Sequence, residues 1–186
     1  MGAGRGVRLF PIGENTMRGT ATTYRSDMTA HYSNDTTEVI EAIFTIGDRG
    51  YRLALPILLE LLQTTNNHAI RDAIAVTLRE LRDERALQPL VSLIKDPKTA
   101  GHRGTLLYAL EVFDCAPILP LLVDLVITGN FEVSHQAFLL IESIESEIDD
   151  ETWTTCLRQV KDALEQAEDE KNHLLSELLD LFEPSS

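Results

Sequence analysis

Histidine is the residue type in this chain best suited to metal binding or acid–base chemistry, and its spacing argues against a metal site. Two ligands on one helix need a separation of three or four residues, and no two histidines have that separation. The five histidines lie far apart along the chain: His31, His68, His102, His135 and His173. We therefore expect no bound metal and no cofactor.

The two cysteines are the candidate nucleophiles. Cys115 and Cys156 form no CxxC motif, and neither has a histidine close by in the sequence to act as a base. Cys156 also follows an acidic run, which raises the pKa of a thiol. We expect two buried thiols in a reducing compartment and, because no other catalytic constellation occurs, no enzymatic activity.

Carboxylates are the third group that could do chemistry, and they concentrate near the C-terminus. Residues 142–186 hold fourteen acidic and three basic residues, within a chain of net charge −14. This balance excludes nucleic-acid binding, which needs a basic stripe, and favours a basic protein as the partner. The candidate contacts are Glu147, Asp149, Asp150 and Glu151. The alternative is a polar cap that keeps a terminal repeat soluble.

The elements that must position these residues follow a repeat. Arg71, Leu78 and Leu81 recur thirty-two positions later as Arg103, Leu110 and Phe113. Three prolines are spaced in the same way: Pro56, Pro89 and Pro120. A period in the low thirties indicates one supersecondary unit copied along the chain, in which each copy buries its apolar face against the next.

Helical spacing of apolar residues begins at Asp35, where Asp35-Thr36-Thr37-Glu38 predicts a capping box. The first helix is expected to end at Gly47-Asp48. Short connections predict antiparallel neighbours, and Pro56 is expected only in the opening turn of its helix. The further predicted helices cover 53–63, 67–81, 84–95, 98–113, 116–128, 131–144, 149–167 and 171–182.

The pattern from Ile70 to Leu90, and its copy from His102 onward, resembles HEAT-like repeats of the bilin-lyase type over roughly residues 35–145. The resemblance implies an all-α fold, a short right-handed α-solenoid of about four helical hairpins plus a C-terminal helix. It places the first helices on the convex side and the second helices on the concave side. Residues 35–186 are then the repeat domain. Residues 1–34, rich in Gly, Thr and Arg, are expected to be a disordered extension.

If this geometry holds, polar residues of the second helices line a concave groove for a partner: Glu60, Gln63, Ser92, Lys95, Asp124 and Thr128. The alternative is that they form the solvated stripe of amphipathic helices. Arg71 and Arg103 occupy equivalent positions, which suggests either an anion-binding ladder or, as we expect, bridges to an acid or a helix end in the adjacent unit.

These observations predict a non-catalytic module that binds another protein through the groove, the acidic C-terminal face or both. Two alternatives remain: an immunity protein that neutralises a basic bacterial toxin, and a bilin-lyase-like enzyme or enzyme subunit. No apolar run is long enough to cross a bilayer and the N-terminus lacks an apolar signal segment, so we expect no membrane association and a cytoplasmic location.

Overall fold

A computed structural model describes residues 34–166 and 169–183. Over these two ranges the chain forms nine α-helices and four short 3-10 turns, and no strand. The all-α prediction is therefore confirmed. The helices are α1 (Asn34–Asp48), α2 (Leu55–Thr64), α3 (His68–Leu81), α4 (Leu87–Lys95), α5 (Gly104–Leu110), α6 (Leu119–Thr128), α7 (Phe131–Glu142), α8 (Asp150–Leu164) and α9 (Asp169–Phe182).

Contacts divide the described chain into two compact units, with the boundary in sequence between Phe113 and Asp114. In the N-terminal unit, the first helices α1, α3 and α5 pack side by side, and the second helices α2 and α4 pack on each other and against the first helices. Helix α3 lies in the middle, and Ile74 and Leu78 on it are fully buried. This two-layer stacking is the way in which a repeat unit covers an apolar face that it cannot bury alone.

The C-terminal unit is built from the remaining four helices. Helix α6 packs against α7 and α8, and α8 packs along α9. Leu122 on α6, Val160 on α8 and Leu178 on α9 are fully buried and form part of its core. The ring of Trp153 lies 4.5 Å from that of Phe182. The apolar stripe of the last predicted helix is thus core, as its spacing indicates.

Local sequence explains where most helices begin. Pro56 and Pro120 lie in the first turn of α2 and α6, where a missing N–H costs no hydrogen bond. Asn67 caps α3, because its side chain accepts from Ala69 N and Ile70 N, and Asn130 caps α7 by accepting from Val133 N. The prediction for the opening turn of the second helix is confirmed.

Several predicted helix boundaries are wrong, and the helices expected to begin at 53, 84 and 116 each open instead with a 3-10 turn. The expected helix over 98–113 is α5 alone, preceded by a 3-10 turn at Pro97–Thr99. The side chain of Asp96 accepts from Lys98 N, and the Thr99 hydroxyl donates to Leu93 O, so these polar side chains hold a turn where apolar spacing predicts helix. At α1, Asp35 lies inside the first turn rather than ahead of it as a cap.

The predicted disordered extension lies, apart from Asn34, outside the described residues and stays a prediction. The handedness of the solenoid and the extent of the repeat domain over 35–186 also stay predictions.

Candidate functional site

The ten predicted partner-binding residues are all exposed. Six lie on second helices, a pair each on α2, α4 and α6: Glu60 and Gln63, Ser92 and Lys95, Asp124 and Thr128. Hydroxyl groups near the ends of these helices bond back to the helix itself. Ser92 Oγ donates to Gln88 O at 2.8 Å, and Thr128 Oγ1 donates to Asp124 O at 2.8 Å. The charged members of the set therefore offer the stronger contacts to a partner.

The C-terminal unit contains a cleft of about 320 Å³ at the start of α6 and α8. Three of its lining residues are carboxylates, Asp114, Glu147 and Asp149. The others are hydroxyl-bearing or apolar: Ala116, Pro117, Pro120, Ser146, Ile148 and Thr152. No lysine or arginine is among the described residues that line it. We call this site the acidic cleft.

Hydrogen bonds hold the Asp114 side chain in one orientation at the rim of the acidic cleft. Ser146 Oγ donates to Asp114 Oδ2 at 2.8 Å, and the backbone N–H of Ala116 donates to Asp114 Oδ1 at 3.0 Å. Asp114 and Ser146 are thirty-two residues apart, which is one repeat period. The carboxylate is therefore positioned both by its own loop, through Ala116, and by the following repeat, through Ser146.

Asp149 is the N-cap of α8. The backbone N–H of Thr152 donates to Asp149 Oδ1 at 2.8 Å, and this bond, with the Thr152 hydroxyl, holds the pKa of Asp149 below its ordinary value. The carboxylate is thus ionised at neutral pH. Asp150 and Glu151 follow in the first turn of α8, exposed but outside the lining of the cleft.

The arrangement suits an organic cation better than a metal ion. Among residues 34–166 and 169–183, no three His, Cys, Asp or Glu side chains form a group that could hold a metal. The carboxylates of the cleft are spread around apolar walls that include Pro117, Pro120 and Ile148. An arginine or lysine side chain combines a charged head with an apolar stem, and this surface complements both parts.

Sequence analysis identifies Glu147 and Asp149 but misses Asp114, Ser146 and the two prolines. The one available signal is the repeat register, which relates Asp114 to Ser146. Charge density in the sequence also selects Asp150 and Glu151, which do not line the cleft, because it does not show which way a side chain faces.

The arginines at equivalent repeat positions do not form an exposed ladder. Arg71 is 8% exposed, and its Nη2 donates to Thr65 O, 3.4 Å away, at the C-terminal end of α2. This contact is the bridge to a neighbouring helix end that we expect from the sequence. The Nε atoms of Arg71 and Arg103 are both buried without a hydrogen-bond partner.

Both cysteines are buried, as expected. Burial, reinforced by the charge of Asp114, raises the pKa of Cys115 to about 12. Burial and the charge of Asp149 raise the pKa of Cys156 to about 11. Both thiols are therefore protonated near neutral pH, and a protonated thiol is a poor nucleophile.

Residues 30–111 match the family model described as HEAT repeats. Within this segment the chain carries HEAT-like repeats. The matched segment spans α1 to α5 and ends just before the boundary at Phe113, so it lies within the N-terminal unit. HEAT repeats are a scaffold often used for protein–protein interaction.

No curated protein and no solved structure matches the chain. Within the part of the chain that the structure describes, no helix is both long enough and apolar enough to pass through a membrane.

Proposed function

We propose that this protein is a non-catalytic interaction module that binds a basic segment of another protein, with the acidic cleft as the principal contact. The supporting observation is a cleft on a repeat scaffold that presents Asp114, Glu147 and Asp149 and is lined by no lysine or arginine. All three carboxylates are exposed, so a cationic side chain of a partner can reach them.

An arginine side chain would use the cleft most fully. Its planar guanidinium makes two parallel hydrogen bonds to one carboxylate, and its stem packs on apolar surface. Asp114 is already oriented by Ser146 and Ala116, so little conformational entropy is lost when it accepts a bond from the partner.

The exposed face of α6 extends this surface. Pro120, which lines the cleft, lies one helical turn before Asp124 and two turns before Thr128, so the three share one face. A basic segment longer than a single side chain would continue along this face and meet Asp124. This gives the predicted second-helix residues of the C-terminal unit a role in the same contact.

The two alternative functions, an immunity protein and a bilin-lyase-like enzyme, can be distinguished by the ligands that they require. A basic toxin is one partner with the required chemistry, so the immunity-protein hypothesis is a special case of this proposal. A bilin-lyase-like activity requires a pigment, and mixing the protein with a bilin would test it by an absorbance change.

A titration with a short peptide rich in arginine tests the proposal, with the fluorescence of Trp153, next to Thr152 of the cleft, as a readout. We expect Glu147→Lys to weaken binding about ten-fold or more and Asp149→Asn to weaken it less, because asparagine retains the cap but not the charge. Added salt should weaken binding to the wild-type protein.

The matched control is Glu165→Lys, which makes the same charge change at an exposed position of the same unit outside the cleft. We expect its effect to be about two-fold or less. Equal losses in Glu147→Lys and Glu165→Lys would mean that the peptide responds to overall charge and that the cleft is not its site.

A further inference from the structure

Exposed large apolar side chains are few among the described residues, and half of them fall within seven consecutive positions. Over the described ranges only six large apolar residues are exposed, and three of these are Tyr51, Leu53 and Ile57. Leu53 is 97% exposed and Ile57 is 68% exposed. Single exposed apolar residues are normal on a protein surface, but a cluster next to charged groups marks an interaction site. We call Tyr51, Leu53 and Ile57 the apolar patch.

The patch is held in a fixed conformation. Gly50 has φ +62°, a left-handed conformation that suits glycine, and it turns the chain after α1. The backbone N–H of Ala54 then donates to Tyr51 O at 3.0 Å and closes the 3-10 turn that presents Leu53. A surface held in its binding conformation before the partner arrives loses less entropy on binding.

The same turn opens the second helix in three successive repeats. The 3-10 turns are Arg52–Ala54, Glu84–Ala86 and Ala116–Ile118, and their central residues are Leu53, Arg85 and Pro117. In the third repeat this residue lines the acidic cleft, and in the second it is a charged residue. Of these three central residues, Leu53 alone is a large aliphatic one. The first repeat therefore presents an apolar contact at the position where the other two present an arginine and a proline.

Three arginines lie at or near the apolar patch: Arg49 contacts Tyr51, Arg52 stands between Tyr51 and Leu53 in the sequence, and Asp83 links Arg52 to Arg85. Arg49 Nη1 donates to the Tyr51 hydroxyl at 3.2 Å, and the Arg52 and Arg85 side chains are more than half exposed. Asp83 accepts two bonds from Arg85, at 2.8 and 2.9 Å, and lies 3.9 Å from Arg52. One carboxylate thus faces two arginines, and between Arg49 and Ile57 the sequence contains no acidic residue.

We propose that the apolar patch and its arginine rim are a second protein-binding surface, which takes an acidic amphipathic helix of a partner. Leu53 and Ile57 are the two most exposed members of the patch, so both can contact the apolar face of one partner helix. Carboxylates that flank the partner's apolar face would pair with the exposed arginines. An anionic membrane is the other surface that such a rim would attract, and binding to vesicles distinguishes it from a helix.

The test uses two synthetic helical peptides that share one leucine face and carry either glutamate or lysine beside it. We expect the glutamate peptide to bind and the lysine peptide to bind about ten-fold more weakly or not at all. Leu53→Asp and Arg52→Glu should each weaken the glutamate peptide about ten-fold. Val39→Asp, which places the same charge at a less exposed apolar position of the same unit, should leave binding within about two-fold.

The inference is overturned if the glutamate peptide does not bind, or if Leu53→Asp has no effect while far-ultraviolet circular dichroism shows that it is folded. Binding of the wild-type protein to anionic vesicles that Leu53→Asp abolishes would assign the surface to a membrane. Sedimentation that shows a dimer lost in Leu53→Asp would assign the surface to a second copy of the chain.

The two proposals can be tested independently. Leu53→Asp should leave binding of the arginine-rich peptide unchanged, and Glu147→Lys should not weaken binding of the glutamate peptide. Failure of one proposal is therefore distinguishable from failure of the other.

Discussion

The two units of this protein use charged residues differently. Residues 34–113 carry nine basic and eleven acidic residues, whereas residues 114–186 carry three basic and seventeen acidic ones. In the N-terminal unit Arg79 makes internal contacts, whereas Arg52 and Arg85 stay more than half exposed. Arg79 Nη2 lies 2.9 Å from Glu111 Oε2, and its guanidinium lies 4.3 Å from the centre of the Tyr108 ring. In the C-terminal unit three carboxylates line a cleft in which no arginine or lysine is described.

This difference indicates which charges hold repeats together and which are presented to a partner. Several N-terminal contacts join residues about one repeat apart, including Arg79 with Glu111, the buried Thr77 hydroxyl with Ile43 O, and the stacked rings of His68 and His102, 4.7 Å apart. Such contacts fix the register between neighbouring units. In the C-terminal unit the equivalent link, Ser146 to Asp114, orients a carboxylate at the edge of the cleft instead.

The largest expected effect comes from the cores. Leu78→Ala in the N-terminal unit and Leu122→Ala in the C-terminal unit each remove a fully buried side chain, and each should cost about 2–5 kcal/mol of unfolding free energy. Urea denaturation followed by circular dichroism measures the whole chain, and Trp153 fluorescence measures the C-terminal unit. Leu122→Ala should shift the Trp153 transition more than Leu78→Ala does, because repeat units lose contacts mainly with their neighbours. Identical shifts would show that the two units unfold together.

A smaller effect tests the role of the N-terminal cations. Arg79→Ala removes the pair with Glu111 and the contact with the Tyr108 ring, and should lower the unfolding free energy by about 1 kcal/mol. Arg158→Ala, at an exposed position of the C-terminal unit, should change it by less than about 0.5 kcal/mol. Equal costs in the two variants would show that cations do not serve different purposes in the two units.

The smallest expected effect is a loss of stability at low pH. The bonds from Arg85, with help from Arg52, lower the pKa of Asp83 to about 2, below the ordinary value of 3.8. A lowered folded-state pKa stabilises the protein above the unfolded-state pKa, so this contribution is lost as the pH falls from about 4 to about 2. Thermal unfolding across that window should show a smaller loss in Asp83→Asn than in the wild-type protein. If Asp83→Asn loses as much thermal stability over this pH range as the wild-type protein does, Asp83 does not contribute to the pH dependence.

Much of the fold follows from local pattern, and the exceptions have local causes. The spacing of apolar residues predicts α3 to within one residue, and the proline rule predicts the opening turn of α2. The helix expected over 98–113 is shortened because Asp96 and Thr99 form side-chain bonds to the backbone that an apolar pattern does not register. The cap expected at Asp35 fails because the helix already includes that residue.

The candidate site is less predictable than the fold. Charge density in the sequence selects Glu147 and Asp149, which line the cleft, together with Asp150 and Glu151, which do not. It omits Asp114, because that carboxylate becomes part of the site only when Ser146, one repeat later, is stacked against it. The sequence composition likewise does not predict that Leu53 is exposed, since leucine is normally buried.

The sequence alone determines that this chain is a stack of helical hairpins. Its apolar residues recur with the 3.6-residue period of a helix, and the whole pattern recurs with a period in the low thirties. Both regularities can be read directly along the chain. The tertiary structure alone decides which charges meet and which are left for a partner. Those relations join residues about thirty-two positions apart, and they depend on how one hairpin is rotated and shifted against the next. That geometry is set by side-chain packing across the layers, which no single segment encodes.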